Sequence, residues 1–521
     1  FHGTEAAGMA HRWLGDRALS AGEFVTALAE YRRASETVGV LEKREIAPRM
    51  RLAAAMLGVE FGEPVSGNVQ FGDIQMTSDE FEKLVDEMRN LHADASDALV
   101  EFSGESASPA VRPTGMQVHR RGRLDGEAGE NSGDIDGRVR QYEVSWLARQ
   151  IGVTVEGNVA YVNNRFHVAA YDLSNNGNRL WNSPPPPNRG RTKQWMLTAM
   201  RPIVAGDQVI VRQLAKDGPL LVCLDRENGQ HQWVMQSSRD EHVVSDPVLA
   251  QGKLFALTLQ RNQRGEDMVR LCSYSRDTGE LMSADDLVGV RDSWEERNVC
   301  NITVLPDGML ANMGGFVMNV DFGGYVRWVR RQLVLPASQE PTWVTQRFDR
   351  PLVNGEQVII ATPGVRAIEC LDVDSGELRW RTVLPYVDRL IGVAAGNVIV
   401  HAGDDVMALN GQTGEQVWKT QMLGLLEGEL CGGEHGILMT HAIQSPTNKD
   451  RRCPELVWLD GKTGAITART VLAKLSEEDP RLGPLWRHQD RLWLFFGNRS
   501  EDPHRNLMEL EPQGEADKPE A

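Results

Sequence analysis

Residues 369–380 read ECLDVDSGELRW. Alternating apolar residues end on Asp372, a polar step leads to Gly376, and a second alternating run reaches Trp380. Physically this is a β-hairpin: the Asp side chain caps a tight turn, the Gly supplies the positive φ the turn needs, and half-buried strands flank it. The phrase recurs from Asp172 to Trp181 in AYDLSNNGNRLW, Asp225 to Trp233 in VCLDRENGQHQW, Asp321 to Trp328 in MNVDFGGYVRW, and Asn410 to Trp418 in MALNGQTGEQVW. Two copies are incomplete: CSYSRDTGEL has Ser275 in the Asp position, and VWLDGKTGAITA has Asp460 but no Trp.

Successive turn positions lie 53, 50, 46, 51, 38 and 50 residues apart, and two further strand-like segments precede each hairpin, as in PIVAGDQVIVRQ before Asp225. Four-stranded units of this length bury both faces only when stacked around a ring, so the pattern predicts a mainly β fold, a β-propeller of four-stranded antiparallel blades. The Trp residues are expected to fill the space between blades. An eighth turn, NLMELEPQG with Glu511 and Gly514, has no outer strand after it; RQYEVSWLARQ, with Trp146, has the character of that missing strand. The expectation is therefore eight blades, the last closed by strand 142–149.

The phrases CLDVDSGELRW and ALNGQTGEQVW resemble the pyrroloquinoline-quinone-type repeat, A-x-D-x-x-T-G-x-x-x-W. That repeat is found in quinoprotein dehydrogenases and in the bacterial outer-membrane-assembly lipoprotein, a propeller without cofactor. The resemblance spans about 140–514 and implies the fold far more strongly than any activity. A resemblance to the enzymes would imply a vicinal Cys-Cys pair, a Trp floor, an Asp base and Glu/Asn calcium ligands. No Cys-Cys dipeptide and no CxxCH haem motif occur in the chain. The expectation is that the chain carries no cofactor and no metal and is not an enzyme.

Ahead of the propeller, residues 9–35 place Gly15, Ala18, Gly22, Phe24, Ala27, Tyr31 and Ala34 at the spacing of a tetratricopeptide-like helical hairpin, with part of another repeat at 42–57. A lone hairpin needs a neighbour over its apolar face: further repeats, the propeller or a partner. Residues 77–90, TSDEFEKLVDEMRN, open on a capping box of Thr77 and Glu80 and align Phe81, Leu84, Val85 and Met88 on one face, for the core or for a partner. The expected domains are a helical region at 1–102, a flexible linker at 103–137, the propeller at 138–514 and a disordered tail at 515–521.

Net charge is −17, without a Lys/Arg run that would track phosphates, so nucleic acid is excluded as a partner. No stretch has the 18 to 20 apolar residues of a bilayer span. The chain opens on Phe1 and so reads as a mature or trimmed form, with any signal or anchor upstream out of view. The six cysteines lack CxxC or zinc-ligand spacing; Cys223, Cys272, Cys370 and Cys453 fall by strands and read as buried thiols.

Repeat alignment brings Arg201, Asp246, Asn301, Arg350, Arg389, Glu429 and Arg481 to the start of each blade, where side chains face the central channel. Such a ring is either solvated or a site for a polar ligand. The functional expectation is a non-catalytic propeller scaffold with protein partners in an extracytoplasmic bacterial assembly, periplasmic or membrane-associated. Its competitor is a quinoprotein-like oxidoreductase or a small-ligand-binding propeller using the channel.

Overall fold

The computed structural model describes residues 5–91, 116–123 and 152–512 apart from internal stretches, of which the longest are 184–198, 291–299 and 332–349. The chain is a mainly β propeller. Seven sheets of four antiparallel strands and one of five account for the described strands apart from the short ribbon Val69–Phe71/Ile74–Met76. In chain order they cover 152–182 (sheet 1), 203–234 (sheet 2), 241–290 (sheet 3), 300–331 (sheet 4), 352–383 (sheet 5), 389–421 (sheet 6), 426–471 (sheet 7) and 480–512 (sheet 8).

The expectation of four strands in every blade is corrected at sheet 3. There Glu241–Val243 and Val248–Ala250 both pair with Lys253–Arg261, so the inner strand is broken in two. Pro247 sits in the break and cannot donate to a ladder, while Ser245 Oγ instead accepts the Leu257 N–H at 2.8 Å.

Closure is also corrected. The fourth strand of sheet 8 is Met116–Arg123, antiparallel to Asn506–Pro512, inside the segment expected to be a flexible linker. Residues 142–149, Trp146 and the tail 515–521 lie outside the described residues. The register puts Arg120 opposite Glu509, in the slot that Trp occupies in other sheets. An outermost strand has a neighbour on one edge only, and basic residues suit it because they discourage further pairing.

Each neighbouring pair of sheets shares one apolar cluster. That between sheets 1 and 2 includes Tyr161, Trp181, Val209 and Leu224; the last joins Trp493 of sheet 8 to Val153, Ala160 and Tyr171 of sheet 1. Five of the cysteines, Cys223, Cys272, Cys300, Cys370 and Cys453, are buried free thiols, and burial raises the thiol pKa of each.

The helices are α1 (Glu5–Ser20), α2 (Phe24–Thr37), α3 (Val40–Ala55) and α4 (Ser78–Leu91). Gly15 lets α1 approach α2 closely, since a Cβ there would lie 2.6 Å from Tyr31 Cε1. Tyr31, Ala27, Ala34 and Ala18 are buried at that crossing with Ile46 of α3. The capping box of α4 forms: Thr77 N donates to Glu80 Oε2 at 2.9 Å and Glu80 N to Thr77 Oγ1 at 3.3 Å. Phe81 and Val85 bury against Ala55 and Val69, so this face is core.

The helical region docks on the propeller itself. In an antiparallel sheet the first-to-second and third-to-fourth turns lie at one end. Arg33 of α2 reaches both kinds of turn, donating to Asp307 in sheet 4 at 2.6 Å and to Asp374 in sheet 5 at 3.1 Å. Glu30 sits between Arg33 at 2.7 Å, His11 at 2.6 Å and Arg327 at 3.7 Å. Burial pushes the Glu30 carboxyl up, but the His11 hydrogen bond and the Arg33 and Arg327 charges outweigh it and hold it below the usual carboxylate range. Leu57 adds an apolar contact to the cluster between sheets 3 and 4.

Candidate functional site

Two sets of residues stand out: the repeat turns and the starts of the inner strands. At the turns, every predicted capping side chain acts as one. Oδ1 accepts a backbone N–H two residues on: Ser174 N to Asp172 at 2.9 Å, Glu227 N to Asp225 at 3.0 Å, Gly323 N to Asp321 at 2.9 Å, Asp374 N to Asp372 at 3.1 Å, Gln412 N to Asn410 at 2.8 Å and Lys462 N to Asp460 at 3.0 Å. Burial raises the Asp372 carboxyl less than Arg379 and the Ser375 N–H lower it, so it is held below its ordinary value. In Asp321 burial wins, and its pKa is raised.

The Trp residues reach across to the next sheet. Indole Nε1 of Trp181 donates to Arg226 O, Trp233 to Arg276 O, Trp328 to Val373 O, Trp380 to Gly411 O and Trp418 to Gly461 O, all at 2.9–3.0 Å. Each acceptor directly follows the capping position of the neighbouring turn. The turn Gly lies over the same ring: a Cβ at Gly376, where φ is +70°, would come within 2.6 Å of Trp328. Glycine is thus required twice, by backbone conformation and by the indole beneath it. Only the first reason is legible in the sequence.

Where Trp is missing, the register shows what replaces it. In sheet 3 Ser283 takes the position, opposite Ser273, and the next turn's Gly324 faces the Asp285 carboxylate. In sheet 7 the pair is exchanged, Trp458 on the third strand opposite Ala468 on the fourth, so an indole is still buried there.

At the other end of the sheets, the inner-strand starts converge. Thr154 Oγ1 donates to Pro202 O at 2.6 Å and Thr303 Oγ1 to Pro351 O at 3.3 Å, tying one inner strand to the residues that open the next. In sheets 1, 4, 6 and 7 one inner-strand residue stands opposite the fifth residue of the second strand. Asn301 pairs there with Asn312 and Arg389 with His401. Arg201, Asp246 and Arg350 lie two residues ahead of Ile203, Val248 and Leu352, the first residues of their strands. In sheet 7 the residue opposite that position is Glu427, paired with Thr440, and in sheet 8 Arg481 pairs with Gly497, two residues beyond it. The cause in sheet 8 is a register irregularity between Leu482 and Leu485.

The structure brings Asp246 and Arg350 together at 3.0 Å across an intervening sheet, and adds a residue the sequence reading missed. Arg212 of sheet 2, its side chain 4% exposed, meets the other oxygen of Asp246 at 3.0 Å. Its signal was one Arg within QVIVRQ, a strand otherwise apolar at that point. Among the described residues no cluster of His, Cys, Asp or Glu has the arrangement of a metal site.

These features define a propeller built from the pyrroloquinoline-quinone-type repeat. The family model described as outer membrane protein assembly factor BamB matches residues 164–420 and 365–491, and the chain belongs to that family. Among solved structures it is similar to BamB from Moraxella catarrhalis, at 16% identity over 78% of this chain and 99% of that one, with a TM-score of 0.48. It is similar also to quinohemoprotein alcohol dehydrogenase from Comamonas testosteroni, at 11% identity over 78% of each chain and a TM-score of 0.48. Sqt1 of Saccharomyces cerevisiae matches at 9% identity over 71% of this chain and 97% of that one, with a TM-score of 0.43. No curated protein matches the chain.

Proposed function

We propose that the chain is a non-catalytic propeller scaffold that presents its loop surfaces to protein partners in an extracytoplasmic bacterial assembly, periplasmic or membrane-associated. In this reading the ring has eight blades, the five-stranded sheet counting as one with a split inner strand, and α1 to α3 serve as a tetratricopeptide-like element. The observation that carries it is the use of the repeat residues: Asp, Gly and Trp hold turn to turn and sheet to sheet. Membership of the BamB family supports a partner-binding role and an extracytoplasmic place. No helix among the described residues is long and apolar enough to cross a membrane.

The test is in-cell crosslinking of the chain in its own cell envelope, followed by exchange of the inter-sheet loops for Gly-Ser segments. A defined protein partner lost on loop exchange supports the scaffold. A chain that crosslinks to nothing and copurifies with a stoichiometric small molecule overturns it. For the absence of enzyme chemistry, incubation with pyrroloquinoline quinone and calcium is expected to leave the melting temperature unchanged, and a calcium-dependent rise overturns that part.

A further inference from the structure

The cluster of Arg212, Asp246 and Arg350 carries net charge of the opposite sign to the molecule as a whole. The chain as a whole is at −17. Here Arg212 and Arg350 converge on Asp246, two guanidiniums on one carboxylate. The core of the arrangement is geometric. One carboxylate serves two guanidiniums: Asp246 Oδ1 meets Arg212 and Oδ2 meets Arg350, both at 3.0 Å.

The two arginines are unlike. Arg212 is sealed in, its side chain 4% exposed, and Asp246 is nearly so at 14%, whereas Arg350 is 50% exposed. A guanidinium presents five N–H donors in a planar fork suited to two-point contact with carboxylate or phosphate. Asp246 engages the inner side of the Arg350 fork and solvent meets the rest. A buried arginine behind it raises the local potential, because charges at low dielectric are screened least.

We propose that this mouth of the central channel is a site for a small oxyanion ligand, a carboxylate or phosphate, which engages Arg350 in competition with Asp246. The ligand joins the arginines on the side open to the channel, and Arg212 stays with Asp246 as its fixed counter-charge. The inference goes beyond the scaffold reading and does not depend on it: a protein-binding propeller and this anion site occupy different atoms.

The test is isothermal titration calorimetry on the whole chain at low ionic strength, with citrate and inorganic phosphate as separate probes. One site per chain is expected. Arg350→Gln weakens it by at least about tenfold, the loss of one two-point charged contact. Asp246→Asn tightens it by roughly threefold or more, because the competing carboxylate is gone. Heat from citrate alone assigns a carboxylate ligand, from phosphate alone a phosphate ligand, and from both a shared oxyanion site. No heat with either probe, or Arg350→Gln binding like the unaltered chain, overturns the proposal. Should Asp246→Asn fail to fold with Arg212 uncompensated, Arg350→Gln and Arg201→Gln, both at exposed positions, still decide it, with circular dichroism confirming the fold.

Discussion

The junction between sheets 5 and 6 and that between sheets 3 and 4 solve the same packing problem with different means. At the first, Trp380 is 7% exposed, donates to Gly411 O at 2.9 Å and lies under Gly414. At the second, Ser283 stands where the indole would be and shares a 2.7 Å hydrogen bond with Ser273. The apolar cluster there is enlarged instead, with Phe255 and Phe322 ring centroids 5.6 Å apart. It is also the place where the helices dock, Leu57 on the cluster and Arg33 on the adjoining Asp307. The ring is therefore latched by Trp at five junctions, and at the junction of sheets 3 and 4, where that latch is absent, Leu57 packs on the cluster from outside.

The widest break in that comparison comes from Trp380→Ala. It removes a buried ring and its hydrogen bond, and denaturant unfolding is expected to show a loss of about 3–5 kcal/mol; Ser283→Ala, at the equivalent position, should lie within about 1 kcal/mol of the unaltered chain. Next comes Arg33→Ala. It removes charged hydrogen bonds to Asp307, which keeps Arg327 as its other partner, and to Asp374, at an expected cost of about 1.5–3 kcal/mol. Hydrogen exchange should show protection lost in α1 and α2 while sheets 5 to 7 keep theirs; uniform loss would mean that the helices and ring are one cooperative unit.

Acid sharpens the same contrast. A carboxyl held below its unfolded value contributes stability that is full above that value and lost as pH falls through the folded one. Glu30 is such a group, so docking of the helices is expected to weaken below the ordinary carboxylate range while the Trp latches, which carry no charge, persist. Hydrogen exchange of α2 across an acid series measures this. Gly376→Ala tests the double demand on the turn glycine, and strain at φ +70° plus the clash with Trp328 is expected to cost about 1–3 kcal/mol. The smallest effect is that of Trp380→Phe, which keeps most of the packing and loses one hydrogen bond, about 1 kcal/mol in thermal or denaturant unfolding.

The repeat turns were legible because one short phrase encodes three local demands, a cap, a positive φ and a large ring, each tied to a residue type. The capping residues Asp225, Asp372 and Asp460 and the rings of Trp233, Trp380 and Trp418 stand where the sequence placed them. What escaped were features fixed by distant partners. MQVHRRGR has little apolar alternation because an outermost strand needs none, so Met116–Arg123 read as linker. The exchange of Trp458 and Ala468 is visible only when third and fourth strands are set in register. Of the residues counted from the turns, Asn301 and Arg389 stand opposite Asn312 and His401, and Asp246 and Arg350 meet in an ion pair. Counting from the turns could not find Arg212, which lies on a second strand.

The pairing of Met116–Arg123 with Asn506–Pro512 has a consequence in time. Arg123 lies opposite Asn506, 506 − 123 or 383 residues later in the chain, so the ring has no means of closing until nearly all of it has been made. At about 5–20 residues per second, the early strand waits roughly 20–80 s on the ribosome for its partner. Through that interval sheet 1 has no neighbour on one side, and its apolar face, including Val153 and Tyr171, stands open to other chains. Synthesis of this protein thus includes a stretch of tens of seconds in which a finished-looking arc is still unsealed, and whatever guards the nascent chain must hold until its last strand emerges.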